Sequence, residues 1–127
     1  MTKETLSSNR LPPPVGPFSP GIYHGDLLFL SGQVGIDPTT GKLAEGGIEA
    51  QTEQVLTNLQ TLLEAAGRTL DDAVRVGVYV TDMSQFARMN AVYAKRFKPP
   101  FPARTTIGVA ALPLGAMVEI DMWVAAK

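Results

Sequence analysis

A chain of 127 residues with 45% hydrophobic and 18% charged side chains is the size of one ordinary domain, far from the polar, highly charged composition of disordered chains. Its formal net charge of −1 supplies no field to draw in phosphate backbones, which argues against a nucleic-acid partner. The lack of cysteine excludes disulfides, thiolate metal sites and cysteine nucleophiles.

No apolar run nears the ~20 residues that span a bilayer, and the stretch from Met1 to Ser8 has no secretory apolar core. The expectation is one domain over residues 1–127 in the cytoplasm, without a membrane partner. Residues 1–20 form an extended proline-rich arm. Five prolines between Leu11 and Pro20 remove backbone donors and fix φ, which suits a surface arm or sheet margin. Gly25-Asp26 then favours a hairpin turn between strands at Tyr23-His24 and Leu27 to Ser31. Leu27 to Leu30 is apolar at every position, so both faces of that strand are expected to be covered. After the Asp37 to Gly41 turn and Gly46-Gly47, a helix is predicted over Ile48 to Ala66. Ile48, Val55, Leu59, Leu62 and Ala66 form its stripe, widened by Leu56 and Leu63, and Gly67 closes it.

Ala73 to Val80 reads as a strand with Val74, Val76, Val78 and Val80 on one face. Asp82 or Ser84 can cap a second helix, Gln85 to Phe97, with a stripe of Phe86, Met89, Asn90, Tyr93 and Phe97 ahead of Pro99-Pro100. Two strands follow, Arg104 to Ala110 and Met117 to Ala125. In the second, Val118, Ile120, Met122 and Val124 alternate with Met117, Glu119, Asp121 and Trp123. Two strand-helix-strand crossovers of one hand place both helices on the same face of a single mixed sheet, an α+β fold. The other face keeps part of the Leu27 to Leu30 run, Tyr79 and Trp123, apolar area that self-association would cover.

One histidine, His24, has no ligand partner at helical or strand spacing, so no metal site and no serine-histidine-acid triad is expected. Arg88, Lys95, Arg96 and Lys98 are either a phosphate-binding patch or cations that complement the dipole at the end of a helix, the second being the expected reading. Asp71-Asp72 suits a cap before the third strand. Arg104 opens an otherwise uncharged strand behind a rigid Phe101-Pro102-Ala103 lead, and is either a bidentate carboxylate clamp or an ordinary surface ion pair. Glu119 is either a solvated carboxylate or a positioned base, and Asn90 either a helix-sheet hydrogen bond or a ligand contact.

Phe101-Pro102-Ala103-Arg104-Thr105, Leu112-Pro113 and Val118-Glu119-Ile120 together resemble the signature of the Rid (YjgF-type) family of enamine and imine deaminases. The likeness extends through Gly16-Pro17-Phe18-Ser19, Ser31-Gly32-Gln33, Asp37-Pro38, Gly41, Gln54, Asn58-Leu59, Ala65-Ala66-Gly67, Val78-Tyr79-Val80, Asp82, Asn90 and Tyr93. The resemblance implies a chorismate-mutase-like fold assembled as a homotrimer, with sites in the clefts between subunits. It implies hydrolysis of reactive short-chain 2-imino and 2-enamino acids to 2-keto acids and ammonia, a metabolite damage-control reaction that needs no cofactor. Arg104 would clamp the substrate carboxylate, and Glu119 would orient or deprotonate the water. Ser31, Asn90 and the strand at Thr105, Thr106 and Ile107 would shape the pocket, with Phe18 as an aromatic wall. Phe18 and Thr106 stand where many relatives carry tyrosine and cysteine, which leaves water as the nucleophile. The other reading is a non-catalytic binder of small carboxylates such as 2-keto acids. RNA cleavage, attached to some relatives, is opposed by the charge balance.

Overall fold

The structure, a computed structural model, describes residues 2–127; Met1, the first residue of the expected arm, lies outside them. Eight strands form: β1 (Glu4–Leu6), β2 (Gly21–His24), β3 (Leu27–Val34), β4 (Ile36–Asp37), β5 (Lys42–Leu43), β6 (Ala73–Val80), β7 (Ala103–Gly108) and β8 (Val118–Ala125). Six of them make one sheet in the order β1-β2-β3-β8-β6-β7. The β6–β7 pair is parallel and the other pairs are antiparallel, so the sheet is mixed as expected. Helices α1 (Gly47–Ala65) and α2 (Phe86–Arg96) cover the same face.

The core follows from the two periodicities. Val55, Leu59, Leu62 and Leu63 of α1 and Met89 and Tyr93 of α2 pack with Leu28, Val76, Val78, Ile120 and Met122, which point to the helices because alternate strand residues share a face. Gly67 ends α1 at φ 69 in a Schellman arrangement: its N–H donates to the Glu64 carbonyl at 3.1 Å and that of Arg68 to Leu63 at 2.9 Å. The basic residues of α2 largely tie the helices together. Arg96 donates to Glu53 Oε1 at 3.1 Å and Gln60 Oε1 at 2.9 Å, and Arg88 lies 4.0 Å from Glu49. Asp72 completes a capping box with Thr69 ahead of β6, as the paired aspartates suggested.

Several elements differ from the sequence reading. Within the expected arm, β1 pairs with β2 and buries Leu6. The Asp37 to Gly41 turn joins the β4–β5 ribbon. Asn58 of α1 anchors that ribbon by donating to the Ile36 carbonyl at 2.9 Å, and Gln51 accepts from the Met117 N–H at 2.8 Å. Val74 does not join Val76 on the core face. A register shift between Ala73 and Arg75 turns it outward, where it is 46% exposed, and Ala73 is buried instead. Asp82 caps a separate short turn, Met83–Gln85, so α2 begins at Phe86; Val92 joins its buried side while Phe86 and Asn90 are half-buried.

The face without helices carries Phe29 and Trp123, edge to face at 5.3 Å between ring centres, and in the single chain Trp123 stays 46% exposed. Replacing fully buried Leu59 with Ala should lower unfolding free energy by about 2–5 kcal/mol. Urea titration checks this through a lower midpoint with an unchanged slope.

Candidate functional site

Arg104 lies beside Val76 in the β6–β7 register, so its side chain leaves the sheet on the helix-bearing face. β7 is the edge strand there, and the guanidinium meets α2 rather than the core centre. Its carbon sits 4.6 Å from the centre of the Tyr93 ring and 5.7 Å from that of Phe86. Tyr93 stacks in turn on Phe97 at 4.3 Å with 23° between planes. Phe86 and Tyr93 lie two turns apart on one face of α2, and Phe97, the extended residue that caps the helix, completes the aromatic shelf. A cation over aromatic rings is attracted by their faces without a carboxylate partner, and a guanidinium offers several N–H donors to a planar acceptor. Among the described residues no carboxylate lies within salt-bridge distance of it.

Unmet hydrogen-bonding capacity collects at the same junction. The buried Asn90 Oδ1, Tyr93 hydroxyl and Thr106 hydroxyl have no partner, and Thr106 shares the face of Arg104 because it lies beside Val78. Such orphans mark places where a polar occupant or solvent completes the structure. Burial pushes the Tyr93 phenol up, while the Arg104 charge pulls it back in part.

Glu119 stands on the other side of the sheet. It lies opposite Tyr79 of β6 and Val34 of β3, on the face that the helices leave open. Between the Leu30–Met122 and Gln33–Ile120 pairs, β3 spends Ser31 and Gly32 against Asp121 alone, a one-residue bulge. A Cβ on Gly32 would collide with the Glu119 carboxylate, so the glycine creates the space in which that carboxylate rests. Ser31 ties the proline arm to the bulge: its hydroxyl donates to the Ser19 carbonyl at 2.6 Å and its N–H to Pro20 at 2.9 Å. Phe18, one residue before that tie, is half exposed. Burial first, and the Asp121 charge second, push the Glu119 carboxyl up from the ordinary glutamate range.

The candidate residues therefore fall into two groups. Asn90, Arg104 and Thr106 belong to the helix face at the β7–α2 edge. Ser31 and Glu119 belong to the open face, as do Thr105, which accepts from Arg75 at 3.1 Å, and the exposed Ile107. A single chain does not bring Arg104 and Glu119 together, because the sheet lies between them. His24 is exposed at the end of β2, and among the described residues no three histidine, aspartate or glutamate side chains gather as metal ligands. The aromatic shelf under Arg104 was visible only as the buried stripe of α2. The pairing of the Tyr79 hydroxyl with Asp121, at 2.9 Å, was foreshadowed only by the alternation that sets Asp121 beside Glu119.

Residues 8–126 match the family described as Endoribonuclease L-PSP. A RutC family protein of Pyrococcus horikoshii is 45% identical over 119 residues, which cover 94% of each chain. A 2-iminobutanoate/2-iminopropanoate deaminase of Dermatophagoides farinae is 37% identical over 119 residues, covering 94% of this chain and 93% of that one. The crystal structure of RidA from an Antarctic Psychrobacter superposes with a TM-score of 0.91 at 41% identity, over 96% of this chain and 98% of that one.

A carboxyl whose folded-state pKa is raised favours folding when protonated; that advantage is full below the ordinary glutamate range and is lost as pH rises through the raised value. Glu119→Gln should therefore gain in melting temperature over the wild type as pH goes from 4 to 8. Thermal melts across that range check it, and a difference that does not vary with pH would contradict the raised value.

Proposed function

The chain belongs to the Rid (YjgF-type) family, described also as endoribonuclease L-PSP, and from that membership we propose that it hydrolyses short 2-imino acids and their enamine tautomers to 2-keto acids and ammonia. The observation that carries this reading is the Arg104 guanidinium, its carbon 4.6 Å from the centre of the Tyr93 ring and, among the described residues, with no carboxylate at salt-bridge distance. A bidentate seat for a small carboxylate is what that geometry offers. The deaminase name of the Dermatophagoides relative supports the imine as substrate.

The two half-sites on opposite faces are complementary if copies of the chain meet. The β7–α2 edge of one subunit then completes the β3–β8 face of the next, in the homotrimer that the family resemblance implies. Association would also cover Phe29 and Trp123, apolar area that monomers rarely leave in water.

In the resulting cleft, Arg104 holds the carboxylate and fixes the imine carbon. Glu119, kept basic by burial and by Asp121, takes a proton from water as the oxygen bonds to that carbon and the C=N π pair passes to nitrogen. That proton then passes to nitrogen to give the carbinolamine, Glu119 carries the hydroxyl proton from oxygen to the amine nitrogen, and the C–N bond breaks with its electron pair going to nitrogen, so that ammonia leaves as the carbonyl forms. Phe18 walls the pocket, Ser31 and Asn90 shape it, and the β7 backbone at Thr105, Thr106 and Ile107 lines it. These steps use no cofactor, and water is the nucleophile because Thr106 offers no thiolate. A cytoplasmic place of action fits a chain in which, among the described residues, no helix is long and apolar enough to cross a membrane. RNA cleavage finds less support, since Arg88 and Arg96 are paired with glutamates of α1 rather than free for phosphates.

The test generates 2-iminobutanoate in place with an amino-acid oxidase and follows keto-acid appearance. Wild type should exceed the spontaneous rate. Arg104→Ala, which strips a carboxylate of its charged partner, should lose about 2–5 kcal/mol, roughly 30-fold to several thousand-fold in kcat/KM. Arg104-dependent binding of 2-oxobutanoate without acceleration would replace the enzyme with a carboxylate binder, the outcome that phenylalanine in place of tyrosine at position 18 would favour.

A further inference from the structure

Glu119 is not the only carboxylate on the open face of β8. Asp121 projects from the same face two residues on, and both acids rest over glycines of neighbouring strands. Gly32 of β3 leaves room for Glu119; Gly77 of β6 leaves room for Asp121, whose Oδ1 a Cβ there would strike. Two separate clearances for two adjacent acids are more than sheet packing requires, because a glycine inside a strand weakens it.

Asp121 is also anchored. The Tyr79 hydroxyl donates to its Oδ2 at 2.9 Å, which fixes the carboxylate in place. The Asp121 carboxylate is therefore held next to Glu119 instead of swinging into solvent. The other groups on this face are few. β6 contributes Tyr79 and Arg75, the latter directed to the Thr105 hydroxyl at 3.1 Å, and β3 contributes Phe29, Ser31 and Gly32, none of them titratable. No cation among the described residues pairs with either acid at salt-bridge distance. An anchored anion with no neutralising partner acts on the titratable groups around it: on the Tyr79 phenol that holds it, and on Glu119, the other carboxyl of this face of β8.

We infer that Asp121, held by Tyr79, is a positioning residue whose fixed charge makes Glu119 a stronger base than a lone carboxylate on this face would be. The inference rests on Glu119 taking the water proton. It adds that the open face is an acid pair held by a phenol, in which one member reacts and the other tunes it. The upward displacement of the Glu119 carboxyl, to which the Asp121 charge contributes after burial, agrees with this arrangement. Tyr79 also responds as the pair requires: donation to Asp121 is the leading reason its phenol is held above the usual range.

The experiment has an arm that does not depend on activity. Carbon-13 NMR of protein labelled at the glutamate side-chain carboxyls, with the Glu119 signal assigned by its loss in Glu119→Gln, follows the titration of Glu119 in wild type and Asp121→Asn. Its midpoint should fall in Asp121→Asn, and an unchanged or higher midpoint overturns the inference whether or not the chain is an enzyme. In the kinetic arm the acid limb of kcat/KM should move to lower pH with the NMR midpoint, while the plateau changes by less than about tenfold. Loss of the base itself in Glu119→Gln should cost about 10²–10⁴. A limb that stays fixed while the NMR midpoint falls would show that Glu119 is not the titrating base, which removes the mechanism proposed for it but not its coupling to Asp121. Asp121→Glu, which retains the charge, should keep the limb nearer to wild type than Asp121→Asn does, and a profile like that of Asp121→Asn would overturn the role of charge.

Discussion

Alternation along a β-strand is the constraint on which the rest depends. Register partners share a face, so the pairing of Arg104 with Val76 sends the guanidinium to the helices, and the pairing of Glu119 with Tyr79 sends the carboxylate to the bare side. The register is held by the buried valines of β6, since a one-residue slip would put them in water. The same force that builds the core thus keeps the cation and the carboxylate apart within a chain. Whatever chemistry needs both must recruit a second copy.

Each half is prepared by local means. Arg104 sits against aromatic rings, and among the described residues no carboxylate pairs with it. Glu119 is oriented by an absent side chain, the missing Cβ of Gly32 at a bulge that the proline arm pins through Ser31. The arm is therefore more than a solvated leader to the sheet. Its Ser19 carbonyl meets the strand at the residue next to the one that makes room for the carboxylate.

Much of this was legible beforehand because it is periodic. The α1 stripe, the Gly67 stop, the alternation of β8 and the two helices on one face all follow from 3.6-residue and two-residue repeats. What escaped is what periodicity cannot carry. β1 is three residues long and exists by pairing with β2; β4 and β5 are two residues each and lean on Asn58. The outward turn of Val74 depends on the partner strand, not on its own sequence. Arg104 and Glu119 were both marked as candidates, yet the face Arg104 takes was not readable. β7 offers only Thr105, Thr106 and Ile107 as a pattern, and its one large apolar residue points away from the core. Tyr93 and Phe86 read as core, and they do pack with it; that they also flank Arg104 depends on how β7 meets α2.

The claim that Arg104 and Glu119 of different copies form one site is tested most directly by mixing two inactive variants. Arg104→Ala and Glu119→Gln chains, unfolded together and refolded at equal concentration, should recover about a quarter of wild-type imine hydrolysis, since a site is intact only when each chain contributes its unaltered half. Activity no greater than the sum of the two variants refolded apart would contradict the account and place both residues in sites within one chain.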